Sequence, residues 1–171
     1  MAHGNRLKSL LVAVSADEEH THDPTLDYAL GMAQKHQSSL TVYVFAPALL
    51  QPFPLTLGSS SVWIAQETDR IENLSGRVAK TVRQRATELD VLVDVEHAHT
   101  PFDGRYSRFI GLARLHDMTI LETVGSRDAG SRRTAIEHAL FDTGRPVLIV
   151  SHGKFEVPKK VAIAWDGSAQ A

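Results

Sequence analysis

Short apolar runs alternate along this chain with stretches whose apolar residues recur every three or four positions. Leu10–Val14 is a continuous apolar run ended by Ser15-Ala16-Asp17, as expected of a strand buried on both faces of a parallel sheet. Asp23-Pro24 supplies an N-cap and a proline at the first helical position. Leu26, Ala29, Leu30 and Ala33 then follow at helical spacing to about His36. Leu40–Ala46, rich in valine and aromatics, reads as a second strand. Positions 47–61 hold Pro47, Pro52, Pro54, Gly58 and a run of serines, and read as a loop. Val62–Leu89 is the longest helical pattern. Ile64, Ile71, Leu74, Val78, Val82 and Ala86 form its stripe, and Arg70, Arg77, Arg83 and Arg85 lie off it as a solvated face.

Val91–His97 begins apolar and ends in alternation, which suits a third strand at a sheet edge. Thr100-Pro101 opens a helix carrying Phe102, Phe109, Ile110, Leu112 and Ala113 to His116. Asp117–Leu121 reads as a fourth strand, followed by a polar loop from Gly125 to Arg133. Thr134–Thr143 forms a short helix closed by Gly144, and Pro146–Val150 is a fifth strand. Strand and helix thus alternate four times before a last strand, the pattern of a parallel sheet with right-handed crossovers and helices on both faces. Ligands of such sheets bind at the carboxyl ends of the strands, where the strand order reverses. The loops after strands one and four are therefore the functional candidates.

The C-terminus repeats the beginning. Lys159-Lys160-Val161-Ala162-Ile163-Ala164-Trp165-Asp166-Gly167-Ser168 aligns with Lys8–Asp17: a basic residue, an apolar run, then a polar turn. We read residues 1–152 as one domain, and 153–171 as a linker and the first strand of a second copy. That extra strand should pair with a sheet edge, in its own chain or across a dimer.

Composition narrows the functional classes. A formal net charge of -2 gives no global electrostatic case for nucleic acid or an anionic membrane. The absence of cysteine excludes disulfides, thiolate metal sites and a cysteine nucleophile. The first apolar run is too short for a signal peptide or membrane span, so a cytoplasmic protein is expected.

Three stretches resemble the universal stress protein family: Lys159–Ser168 with its Asp-Gly-Ser turn, Leu40–Phe45, and Asp117–Leu121 taken with Gly144-Arg145-Pro146-Val147-Leu148-Ile149-Val150. The resemblance implies a five-stranded sheet of order 3-2-1-4-5 in an adenine nucleotide alpha hydrolase-like α/β fold. It also implies the first half of a tandem protein plus the first strand of its second half. Members of that family that hold ATP use an aspartate after strand one and a loop spaced G-x2-G-x9-G-[ST] after strand four. Glycines there let backbone N–H groups approach phosphate at a helix N-terminus. In this chain Ser15 stands at the aspartate position. Gly125 and Gly130 are differently spaced, Arg133 stands where the family has glycine, and Glu122 would repel phosphate. Thr134 fits the end of the motif and Val44 the apolar wall on the adenine side. The resemblance thus implies a degenerate nucleotide site built from Ser15, Val44, Glu122, Arg132, Arg133 and Thr134. No cofactor is expected, with ATP or AMP as the alternative.

Arg127, Arg132 and Arg133 read as a solvated basic loop rather than an anion seat. Asp17, Glu18, Glu19, His20, His22 and Asp23 crowd the loop after strand one, and His97 and His99 end strand three, a set of imidazoles and carboxylates that could suit a divalent transition metal. An intervening strand separates these two groups by roughly 10 Å, so no metal site is expected. No nucleophile elbow, P-loop or His-Glu-x-x-His occurs. Two readings follow. One is a non-enzymatic stress-response module acting by association, with the second half of a tandem protein or another subunit (a homodimer) as partner. The other is an ATP-binding or adenine-nucleotide-binding module.

Overall fold

The computed structural model describes residues 7–16, 23–45, 60–97, 106–123, 129–151 and 154–164. The elements run β1 (Ser9–Ser15), α1 (Pro24–His36), β2 (Ser39–Phe45), α2 (Ser60–Glu88), β3 (Val93–His97), α3 (Ser107–Leu115), β4 (Met118–Glu122), α4 (Ala129–Asp142) and β5 (Val147–Val150). All strand pairs are parallel, and the sheet order is β3-β2-β1-β4-β5. This is the expected fold class.

Strand periodicity divides the core into two layers. Leu10, Val12 and Val14 of β1, with Leu40, Val42 and Val44 of β2, face Leu26, Leu30 and Ala33 of α1 and Leu74, Val82 and Ala86 of α2. Leu11 and Ala13 of β1, with Tyr43 of β2, face Phe109 and Ala113 of α3 and Ala135 and Ala139 of α4. The continuous apolar run of β1 is explained by helices packing on both of its faces.

Local signals set several boundaries. Asp23 caps α1, its Oδ1 accepting from the N–H of Thr25 at 2.8 Å and of Leu26 at 3.3 Å. Gln37 closes that helix in the left-handed region, at φ 54°. α2 ends similarly: Asp90 has φ 53°, and the Val91 N–H reaches back to the Ala86 carbonyl at 2.9 Å. That closure occupies Val91, which is why β3 starts at Val93 rather than at the expected Val91. Gly144, with φ +64° after α4, adopts the conformation for which glycine was expected there.

Two expectations change. α4 begins at Ala129, five residues ahead of the expected Thr134, so much of the anticipated polar loop is helical. Ala135 and Ala139, both buried, form the packing stripe of α4 against the sheet. The extra C-terminal strand does not form: 160–164 is neither strand nor helix, and Val161 and Ile163 are 77% and 89% exposed. Within the described chain that segment meets no sheet edge, and a strand without a partner is not a stable element. The proposed helix start at Thr100-Pro101, with Phe102, lies outside the described residues.

Candidate ligand cleft

β1 sits at the centre of the sheet with β2 on one side and β4 on the other. The crossovers leaving its two flanks run to opposite faces, and a crevice opens beyond the carboxyl ends of β1 and β4. It is shallow and open, with a cavity volume of ≈ 30 Å³. Ala13 on β1 and Ala135 on α4 line its base, where small side chains leave room. Phe45, in register with Ser15, and Tyr106 line it with aromatic surface. Their rings lie 5.6 Å apart at 60°, and Phe45 also packs on Phe109 at 5.3 Å. These contacts fix the aromatic wall against the α3 side of the core. Tyr106 in turn stacks on His138 at 5.0 Å.

Four polar side chains enter the crevice: Ser15 from the end of β1, Asp23 from the cap of α1, Glu122 from the end of β4, and Arg132 from the first turn of α4. The Asp23 carboxylate already satisfies the N-terminus of α1. Glu122 and Arg132 form an ion pair with side-chain exposures of 30% and 26%. Among the described residues the crevice therefore presents a neutralised arginine and a second carboxylate, with no free cation.

Of the residues singled out from the sequence, Ser15, Glu122 and Arg132 converge here. Val44 lies outside, fully buried against α1 and α2, because alternate residues of β2 face opposite layers. Arg133 projects to solvent, 76% exposed, and pairs with Glu137 one turn on at 3.0 Å. Thr134 is inside the helix, and its hydroxyl donates to the Gly130 carbonyl at 3.0 Å. Of the other candidates, Arg127, Asp17, Glu18, Glu19, His20, His22 and His99 lie outside the described residues. Among those described, no group of three His, Cys, Asp or Glu could hold a metal ion. His116 has a structural place: Nδ1 meets the Leu112 carbonyl at 2.7 Å, and Nε2 the Thr41 hydroxyl at 2.8 Å.

Sequence reasoning missed the aromatic lining of the crevice. Asp23 is legible in the sequence as a cap and as one of the carboxylates after strand one, and Phe45 only as a strand residue. Tyr106 carried no signal, since its role depends on where the chain enters α3. Alignment of the strand ends, Ser15 opposite Phe45, was the signal that placed Phe45.

No protein-family model matches the chain, and no curated protein matches it. Solved structures do. A universal stress protein family member from Burkholderia pseudomallei superposes with a TM-score of 0.54 at 19% identity, over 86% of this chain and 98% of its own. The universal stress protein UspA from Lactobacillus plantarum gives 0.57 at 14% identity, over 85% and 98%. This chain shares the universal stress protein fold. A universal stress protein family protein from Arabidopsis thaliana with AMP bound also aligns, over 89% of this chain and 97% of its own at 12% identity. Its TM-score of 0.48 is too low to carry its ligand across. Among the described residues, no helix is long and apolar enough to cross a membrane.

Proposed function

We propose that this chain is a cytoplasmic, non-enzymatic module of the universal stress type, which acts by association and whose crevice is closed to phosphate. The observation that carries this reading is the Glu122–Arg132 ion pair in the crevice. A phosphate that recruited Arg132 would have to separate the pair and leave the Glu122 carboxylate facing an anion. Two like charges about 4 Å apart cost on the order of 1 kcal/mol in water and about 4 kcal/mol at the dielectric of a protein surface. The helical start of α4 adds to this. Thr134, placed by the resemblance at the end of a phosphate loop, has its hydroxyl engaged within the helix. No described residue lining the crevice is histidine, cysteine or lysine, so its titratable side chains are Asp23, Glu122, Tyr106 and the paired Arg132.

One observation favours the second reading, an adenine-nucleotide-binding module. The Phe45–Tyr106 wall stands at the switch point, where a planar base would find apolar surface. Thermal unfolding with ATP or AMP and magnesium separates the two. A ligand held only by the folded state at a hundred times its Kd stabilises by about 2.7 kcal/mol and raises Tm visibly. The expected result is no rise in Tm at millimolar nucleotide and no phosphate release from ATP. A saturable rise overturns the first reading and establishes the second.

A further inference from the structure

In a parallel sheet the helices end beside the amino ends of the strands, so α3 and α4 finish at the end of the sheet opposite the crevice. Two arginines tie these helix ends together. Arg114 Nε donates to the Asp142 carbonyl at 3.0 Å, and Arg145 Nε donates to the Arg114 carbonyl at 3.1 Å. Each bond caps a helix C-terminus, whose partial negative charge favours a cation. Each uses Nε alone. Both side chains are exposed, and among the described residues their Nη nitrogens make no hydrogen bond or ion pair. Arg70, Arg85, Arg108, Arg132 and Arg133, in contrast, all pair with carboxylates.

The carboxylates of this corner are engaged elsewhere. Asp142 holds His138 Nδ1 at 2.5 Å, and Asp117 accepts from the N–H groups of Lys8 and Ser9, with only a weak attraction from Arg145. Beside the two guanidiniums stand two large apolar side chains, Leu115 at 77% and Phe141 at 81% exposure. Phe141 follows His138 by one turn, and the His138 ring stacks on Tyr106 at the start of α3. Phe141 therefore lies on the side of α4 that faces α3, not on the side toward the sheet edge.

We propose that this corner docks an acidic peptide segment of a partner protein: two carboxylates take the Arg114 and Arg145 forks, and an apolar side chain between them covers Leu115 and Phe141. A guanidinium fork matches a carboxylate geometrically and binds it through two parallel hydrogen bonds. Both forks are already fixed through Nε, so less side-chain freedom is lost on binding. A free phosphate would satisfy the forks but leave the apolar pair in water, and arginine beside exposed apolar surface is the composition of a protein interface. The proposal gives the association half of the reading above its partner and rests on that half.

The test is fluorescence anisotropy of the full chain with a fluorescein-labelled peptide that alternates glutamate and leucine. Binding should saturate, should be absent for the matching lysine–leucine peptide, and should survive excess inorganic phosphate. Arg114→Lys and Arg145→Lys keep the charge and lose the fork. Each should weaken binding about tenfold, the factor for one hydrogen bond to a charged group, with unchanged far-ultraviolet dichroism. Leu115→Ser and Phe141→Ser alter only exposed side chains and should weaken it as well. No binding, displacement by inorganic phosphate, or binding indifferent to all four variants overturns the proposal. A chain that dimerises in light scattering yet ignores the peptide loses this surface and keeps association. A saturable rise in Tm with nucleotide, alongside peptide binding, removes the closed crevice and keeps this surface.

Discussion

At the scale of single residues, two carboxylates shape the crevice. Glu122 ends β4 and holds Arg132, so the only described arginine lining the crevice is already neutralised. Glu122→Gln keeps the shape and removes the negative charge. The variant should bind AMP at least about tenfold more tightly than the wild type in calorimetry, since about 1.4 kcal/mol of relieved repulsion is a factor of ten. An unchanged affinity would show that Glu122 is not what excludes phosphate. Glu122 was legible in the sequence as an acidic residue in a loop where phosphate would sit. Its partner was not, because Arg132 was assigned to the loop and reaches the crevice only through the extra turn of α4. Asp23 acts locally: it caps α1 through two backbone N–H groups while lining the crevice. Asp23→Ala should lower stability by about 1 kcal/mol, read from the urea midpoint at unchanged slope.

At the scale of elements, the Asp117 side chain adds to the bonds that join β1 and β4 at their amino ends. The Asp117 carboxylate accepts from the N–H of Lys8 at 2.8 Å, the N–H of Ser9 at 3.0 Å and the Ser9 hydroxyl at 3.3 Å. The Lys8 and then the Ser9 N–H bonds hold its pKa below the ordinary carboxylate value. Burial opposes them weakly, and Arg145 adds a small attraction. A lowered folded pKa means stability that is present above the unfolded value, roughly pH 4, and is lost as pH falls through the folded value. Denaturant midpoints should therefore drop below about pH 4 in the wild type. Asp117→Asn, with no charge to titrate, should begin less stable at neutral pH and show a shallower acid decline. Identical slopes in both proteins would remove Asp117 from the account. α1 and the tail are coupled in a similar way at Gly31. Gly31→Ala would push against Phe155 at its Cβ, not at a flexible tip, so the tail must leave α1 even though alanine favours the helix. Faster proteolysis after Lys154 in that variant is the readout.

At the scale of the whole molecule, the sheet divides the core into two layers of unequal composition. The layer against α1 and α2 is aliphatic, whereas the layer against α3 and α4 is built on Tyr43, Phe45 and Phe109. Phe109 is fully buried and supports Phe45 in the crevice wall. Phe109→Ala should cost about 3–5 kcal/mol of global stability, measured by denaturant unfolding. Because it touches the wall from behind, it should also loosen the crevice, while an aliphatic deletion in the other layer such as Val82→Ala should not.

Hydrophobic periodicity by itself determined the α/β class, the position of every strand to within about two residues, and the capping of α1. Each of these depends on neighbours close in sequence, whose spacing sets which face is apolar. The resemblance supplied the strand order, which periodicity could not, because order depends on crossovers between segments far apart. What only the tertiary structure decided was the crevice itself. Alternation along β2 sent Val44 to the opposite layer, α4 began about a turn earlier than local spacing predicts, and Arg132 at its start met Glu122. Those outcomes turn on which surfaces come together after folding, and no local spacing encodes them.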